Sequence, residues 1–153
     1  MFTNILLAVD GSAASLRAAR HGIELAQALS ARVTVLTVTT PWAAYFSREL
    51  AVVIPEVVIA KGEYDYKRET TTACILQNVV ADAHSARVDV RSLHRCDPDP
   101  YRAIIETVER EGCDLIVMGS HCERGFSGAL LGSETMKVMT HTSTPVLVYR
   151  EKE

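Results

Sequence analysis

The sequence predicts an α/β fold: a single three-layer domain in which an open, parallel five-stranded sheet carries helices on both faces. Three observations support this prediction. The chain has 153 residues, which is the size of one ordinary domain, so residues 1–153 are treated as one unit. Five short runs of apolar and β-branched residues alternate with longer segments whose apolar residues recur at helical spacing. The connections between these runs are long enough for the right-handed crossovers that join parallel strands.

The predicted strands are short apolar runs that end at turns. The first covers residues 4–9 and stops at Asp10-Gly11-Ser12, as expected of a strand that is buried on both faces. The third covers residues 88–93 and is less apolar, so we expect it nearer a sheet edge. The other strands are predicted at residues 33–38, 114–118 and 144–149.

Helices are predicted between the strands. Ser12 is suited to cap the first helix, and helical spacing returns over residues 63–86 for the second. Asp99 supplies a capping carboxylate to the third helix, ahead of a proline at the first helical position, and Gly112 ends it. A short fourth helix follows the loop that ends at Ser133.

One long connection has no clear periodicity. Residues 39–62 hold two prolines and the single tryptophan, Trp42, together with several other apolar side chains. Structureless connections of this length are uncommon in compact domains and are often lids or contact surfaces. We therefore predict that this segment covers a binding site or contacts a partner.

Charge and composition exclude several classes of function. The net charge is −3 and the pI about 6.0, so there is no basic excess to attract nucleic acid. No apolar run reaches the roughly 18 residues of a membrane helix, and the N-terminus lacks a basic signal region. We expect a cytoplasmic protein without membrane insertion. The four cysteines form no C-x-x-C pair and are interpreted as reduced thiols. A zinc site that uses them with His94 or His121 is an alternative that the spacing does not favour.

The loop after the fourth strand is the best candidate for a ligand site. In open α/β sheets, ligands bind beyond the carboxyl ends of the strands, where the strand order reverses. Five of the eight glycines lie between Gly112 and Gly132. Glycines allow close backbone approach, and the unpaired amides at the start of the next helix attract phosphate without a lysine. Ser120 is among the hydroxyl groups that would add donors. The alternative is that this loop is only a mobile turn.

The first turn offers a second candidate, the carboxylate of Asp10, which can hold a ribose hydroxyl or an adenine amine. Asp10 can equally well only shape the turn. Neither the G-x-x-x-x-G-K-[ST] nor the G-x-G-x-x-G fingerprint is present, so P-loop hydrolysis and dinucleotide binding lose support.

Several motifs together resemble the universal stress protein family. They are residues 5–12, residues 114–121, the pair Gly132-Ser133 and residues 145–148, and the resemblance covers nearly the whole chain. It implies the adenine nucleotide alpha hydrolase-like version of the α/β fold. Members that bind ATP carry the pattern G-x2-G-x9-G-[ST]. Here Gly119 and Gly132-Ser133 match its ends, whereas Cys122 stands where the second glycine is expected, so the motif is a variant.

The resemblance also implies which residues hold ATP. Adenine would lie near the ends of the first and second strands, Asp10 would face the ribose or the base, and the phosphates would lie on the glycine-rich loop and the start of the next helix. Glu134 would take part only through its backbone amide, because its carboxylate would repel phosphate unless Mg²⁺ or Mn²⁺ intervened. The implied nucleotide-binding residues are Ala8, Val9, Asp10, Val38, Met118, Gly119, His121, Cys122, Gly132, Ser133, Glu134 and Thr135.

The function that we predict is a nucleotide-dependent regulatory switch in the stress response, in which ATP orders the glycine-rich loop and shifts a population of conformers toward an unknown protein partner. The resemblance further implies a homodimer that pairs through the last strand. The main alternative is a dimeric scaffold that binds no nucleotide, which Cys122 favours. We expect no catalytic residues and at most weak ATP hydrolysis, because Glu123 and Arg124 resemble solvated loop residues. A reactive Cys122–His121 pair and a phosphoacceptor at Asp97 have less support.

Overall fold

The computed structural model describes residues 1–41, 55–120 and 131–150, with only the backbone described for residues 55–60. Its five strands are parallel and form one sheet. They are β1 (Asn4–Ala8), β2 (Arg32–Thr39), β3 (Val90–Cys96), β4 (Leu115–Ser120) and β5 (Val146–Arg150). The order across the sheet is β3-β2-β1-β4-β5. The prediction of a parallel five-stranded sheet is confirmed.

Four helices in the described part of the chain cover the two faces of the sheet. They are α1 (Ala13–Leu29), α2 (Pro55–Ser85), α3 (Pro100–Glu111) and α4 (Ser133–His141). The first two pack on one face and the last two on the other. This arrangement confirms the predicted three-layer architecture.

The central strand β1 holds the two halves of the core together. Ile5, Leu6 and Leu7 are fully buried. Ile5 and Leu7 point to the α1–α2 side, whereas Leu6 points to the α3–α4 side. Since successive side chains of a strand face opposite sides, a strand covered on both faces must be apolar at every position. This explains why β1 was recognisable as a continuous apolar run.

Helix ends follow local signals at two of the predicted positions. The Ser12 side chain accepts a hydrogen bond of 3.2 Å from the Ser15 amide and caps α1. Gly112 ends α3 in the left-handed conformation, at φ 65°. Both predictions are confirmed.

The predicted start of the second helix is wrong, because α2 begins at Pro55 rather than at residue 63. A proline is well suited to the first turn of a helix, where its missing N–H is not needed. Residues 61–71 are all exposed or half-exposed, and Thr72 is the first buried residue of α2 among those whose side chains the structure describes. Residues 61–71 of α2 therefore pack little against the core. Of the connection predicted at residues 39–62, residues 42–54 lie outside the described residues.

The bounds of all five strands differ from the prediction by one to three residues, and for two of them the structure shows the reason. Strand β3 starts at Val90, because Val88 donates its amide to Ala83 at the end of α2, and it continues to Cys96 opposite Thr39. Strand β4 continues to Ser120, because its last residues pair with β5. The first motif glycine is thus part of a strand, one residue before the end of β4. No helix in the described ranges is long and apolar enough to span a bilayer.

Candidate functional site

The strand order reverses between β1 and β4. From β1 the chain proceeds outward to β2 and β3, and then it returns to the other side of β1 to form β4 and β5. A crevice at the carboxyl ends of the strands is expected at this switch point. The two predicted binding segments, residues 9–12 and the loop after β4, both begin at it.

The turn after β1 is held by its own hydrogen bonds. One carboxylate oxygen of Asp10 accepts the Ser12 amide at 2.9 Å, and the Asp10 amide contacts Ser15 Oγ at 3.3 Å. Gly11 has φ +84°, and a Cβ there would lie 2.6 Å from Cδ1 of Ile75 on α2. The Asp10 side chain therefore shapes the turn while it remains exposed at the surface.

Four apolar residues are among the predicted binding residues, three of them (Ala8, Val9 and Val38) expected near adenine, and they divide between the two faces of the sheet. Ala8, Val38 and Met118 lie on the α3–α4 side, where Met118 is buried and the other two are half-buried. Ala8 and Met118 are direct neighbours across β1 and β4. Val9 is buried on the opposite side and donates its amide to the Leu36 carbonyl at 2.9 Å. The structure thus brings three of these four side chains to one face.

Gly119 lies against the backbone of α1. A Cβ at this position would be 2.6 Å from both the carbonyl carbon and the carbonyl oxygen of Ala14, and 2.7 Å from the Ser15 amide nitrogen. Backbone atoms cannot move aside as a flexible side chain can. The first glycine of the motif is therefore required for the end of β4 to approach the first turn of α1, independently of any ligand.

The two ends of the glycine-rich loop meet in a hydrogen bond. The Gly132 amide donates to Ser120 Oγ at 2.9 Å, and Ser120 is buried. This bond joins the last residue of β4 to the residue that precedes α4. Ser120 therefore holds the two ends of the loop together. Its position in the sequence gave no indication of this role.

Helix α4 begins without a side-chain cap. Gly132 occupies the N-cap position, and no side chain of the described residues makes a cap hydrogen bond there. The first amides of a helix carry partial positive charge, so an uncapped start is suited to an anion. Of the predicted phosphate contacts in this turn, Ser133 is exposed, whereas Thr135 is buried.

The Glu134 side chain points to a neighbouring helix. Its Oε2 accepts the Tyr101 amide at the start of α3 at 3.1 Å, and its Oε1 accepts Lys137 Nζ at 2.8 Å. The hydrogen bond to Glu134 raises the pKa of Lys137. The predicted cap of α3 by Asp99 is wrong, because Asp99 makes no side-chain cap bond. The i,i+3 spacing of Glu134 and Lys137 is a local signal for their ion pair, whereas no local pattern points to Tyr101.

Two predicted site residues, His121 and Cys122, lie outside the described residues, as does Trp42. Among residues 1–41, 55–120 and 131–150, no three metal-binding side chains come together. His94 bonds instead with Thr39 Oγ1, at 2.8 Å from its Nε2. Its pKa is lowered, first by burial and then by the charge of a nearby arginine.

Comparison with known proteins agrees with this architecture. The sequence model described as the universal stress protein family matches residues 1–150. The chain is 29% identical over 151 residues to universal stress protein YxiE of Bacillus subtilis, an alignment that covers 98% of this chain and all of that protein.

Solved structures with the same fold include two informative neighbours. One is protein MJ0577, with a TM-score of 0.77, 25% identity, and coverage of 100% of this chain and 99% of that one. The other is a universal stress protein solved in complex with cAMP, with a TM-score of 0.67, 23% identity and 97% coverage of both chains. At that identity, the second likeness shows the fold alone.

Proposed function

The chain belongs to the universal stress protein family, and on this premise we propose that it binds ATP and acts as a nucleotide-dependent regulatory switch in the stress response. The observation that carries the proposal is the hydrogen bond from the Gly132 amide to Ser120 Oγ. It holds the uncapped start of α4 at the end of β4, beside the point where the strand order reverses.

The phosphates would bind at this start of α4. Amides of residues 133–135 carry the partial positive charge that helix N-termini direct at anions, and no lysine is needed. Ser133 is exposed and adds a hydroxyl group. His121 and Cys122 belong to the same predicted cradle, and their contribution remains a prediction from the family motif.

The base would lie on the α3–α4 side of the strand ends. Ala8, Val38 and Met118 form an apolar surface there, of the kind that lines small-molecule sites. The side chain of Val9 faces the α1–α2 side and is not part of this surface. Val9 would lie beside the base only because it follows Ala8 in the chain. Asp10 is exposed at the adjoining turn, where its carboxylate can accept a hydrogen bond from ribose. The cAMP complex of a protein with this fold supports an adenine nucleotide as the ligand.

The described residues at the start of α4 do not form a set of ligands for a divalent cation. The described residues contain no cluster of three suitable side chains, and Glu134 is already bonded to Tyr101 and Lys137. We therefore assign no step to Mg²⁺ or Mn²⁺.

Dimerisation would use β5 rather than β3, the other edge of the described sheet. Strand β3 carries Arg91 and Arg95, whose side chains form ion pairs with glutamates of α3. Charged side chains discourage strand pairing at a sheet edge. Strand β5 has the sequence VLVYR, and its Leu147 side chain is 46% exposed. An apolar edge is suited to a second copy of the chain.

The binding test starts from protein that has been stripped of bound nucleotide. ATP is titrated into this protein, and binding is measured by calorimetry and by the change in melting temperature. At one hundred times the dissociation constant, ATP should stabilise the protein by about 2.7 kcal/mol. Absence of both heat and stabilisation at millimolar ATP would contradict the proposal and favour the nucleotide-free scaffold, which Cys122 in the motif also favours.

The variant Gly132→Asp tests the location of the site. Gly132 has φ −54° and ψ 148°, a conformation that aspartate adopts readily as an N-cap residue. The new carboxylate would accept hydrogen bonds from the first amides of α4 and would repel phosphate. ATP binding should therefore be lost, whereas the stability of the protein should not fall. Gly62→Asp is the matched control, because no described atom lies within 4 Å of a Cβ there. Unchanged affinity in Gly132→Asp would place the phosphates elsewhere.

A further inference from the structure

The starts of α3 and α4 are joined by one side chain. Glu134 lies in the first turn of α4, and its Oε2 accepts the backbone amide of Tyr101 at 3.1 Å. Tyr101 is the second residue of α3, which begins at Pro100. The first amides of a helix have no partner within the helix, so they need an acceptor from outside.

The usual acceptor for such an amide is a neighbouring N-cap side chain, and Asp99 occupies that position without making the bond. The backbone amide of Asp99 donates a hydrogen bond to Asp97 Oδ1 at 2.8 Å, within the turn that precedes α3. The N-terminus of α3 therefore takes its cap from another helix. Because α4 starts after β4 and α3 starts after β3, the bond links two segments at the same end of the sheet.

The charge of Glu134 is compensated within this arrangement. Lys137 Nζ lies 2.8 Å from its Oε1 and 5.7 Å from the centre of the Tyr101 ring. The other carboxylate oxygen faces the positive end of the α3 dipole. Both carboxylate oxygens are thus bonded to donors, which offsets part of the repulsion between this carboxylate and an anion at the start of α4.

We propose that Glu134 is a positioning residue of the nucleotide site: its carboxylate, by accepting the Tyr101 amide, sets the orientation of the first turn of α4 and so of the amides that bind phosphate. This inference rests on the proposed ATP site and adds a function for a side chain whose residue the family resemblance implies only through its backbone amide. A ligand bound at the start of α4 would therefore change the environment of the Tyr101 amide at the start of α3, because one hydrogen bond connects the two helices.

The test compares ATP affinity among three variants by calorimetry. Glu134→Ala removes the acceptor and should weaken ATP binding about tenfold, as expected for a hydrogen bond to a charged group. Glu134→Gln keeps a side-chain oxygen for the Tyr101 amide and should restore most of the affinity. Glu109→Ala removes a carboxylate from the exposed surface of α3 and serves as the matched control with wild-type affinity.

A second measurement needs no variant. In an amide correlation spectrum of the wild-type protein, the Tyr101 signal should shift on ATP addition, whereas the amide of Glu109, on the distant half of α3, should not. Wild-type affinity in Glu134→Ala, an equally weak Glu134→Gln, or an unmoved Tyr101 signal under saturating ATP would overturn the positioning role alone. Failure of the wild-type protein to bind ATP would remove the proposed function and this inference with it.

Discussion

The Gly132 amide and the Ser120 hydroxyl oxygen, 2.9 Å apart, close the loop between β4 and α4. Ser120 is 4% exposed and Gly132 is half-buried, so the bond is partly shielded from competing water. It fixes the position of the residue that caps α4 and thereby the direction of the helix start. The candidate phosphate site thus depends on a strand residue as well as on the loop.

Replacement of Ser120 by alanine should therefore weaken ATP binding by up to about tenfold, because it removes the hydrogen bond that positions the half-buried Gly132 amide, and such a bond contributes about 0.5–1.5 kcal/mol. Isothermal titration of ATP measures the effect. Ser92→Ala, on the exposed edge strand β3, makes the same chemical change away from the loop and should bind ATP normally. Equal ATP affinity in the two variants would show that the hydrogen bond between Ser120 and Gly132 does not contribute to ATP binding.

Replacement of Gly119 by alanine should lower the free energy of unfolding by about 1–3 kcal/mol, because the new methyl group would overlap the Ala14 carbonyl. Urea denaturation measures this change without any ligand. In contrast, Gly62→Ala should stabilise the protein by up to about 1 kcal/mol, because Gly62 lies in an exposed helical position. A Gly119→Ala protein as stable as the wild type would mean that β4 and α1 are not so closely packed.

Replacement of Leu147 by lysine should shift the protein toward monomer, because a charge on β5 would prevent the edges of two copies from pairing. Sedimentation equilibrium over a dilution series measures the association. Ser92→Lys adds the same charge to β3 at the opposite edge and should leave association unchanged. Association that is weakened by Ser92→Lys rather than by Leu147→Lys would assign the interface to β3.

Stability should fall in acid through Asp114. Burial raises the pKa of its carboxyl, but hydrogen bonds from the Asn4 amide and from the amide and hydroxyl of Thr3 outweigh burial and lower the pKa below its ordinary value of 3.8. Because the pKa is lower in the folded state, the carboxylate stabilises the folded protein at pH values above its ordinary pKa of 3.8. That stabilisation is lost as the pH falls through the pKa of the folded state.

The measurement for Asp114 is the free energy of unfolding from neutral pH down to about pH 2, in the wild type and in Asp114→Asn. The variant should be less stable at neutral pH, and its stability should decline less steeply in acid. Parallel curves for the two proteins would contradict a contribution from this carboxylate.

The local sequence was sufficient where an element packs against the core along its whole length. Strand β1 was recognised because both its faces are buried, and α1 because Ser12 and the apolar period agree. It was insufficient for the start of α2, a helix whose residues 61–71 are exposed or half-exposed, and for the end of β4, which depends on pairing with β5. The capping role assigned to Asp99 failed because a competing acceptor, Glu134, comes from a helix 33 residues away in the chain.

The amino-acid order alone determined the layered α/β architecture and the family, and it suggested the segments of the proposed nucleotide site, since apolar runs, helix periodicity and glycine spacing are properties of neighbouring residues. Only the tertiary structure decided that Gly119 accommodates α1, that Ser120 anchors Gly132, and that Glu134 reaches Tyr101. These contacts join residues that are far apart along the chain, and they depend on strand order and helix packing, which no local pattern encodes.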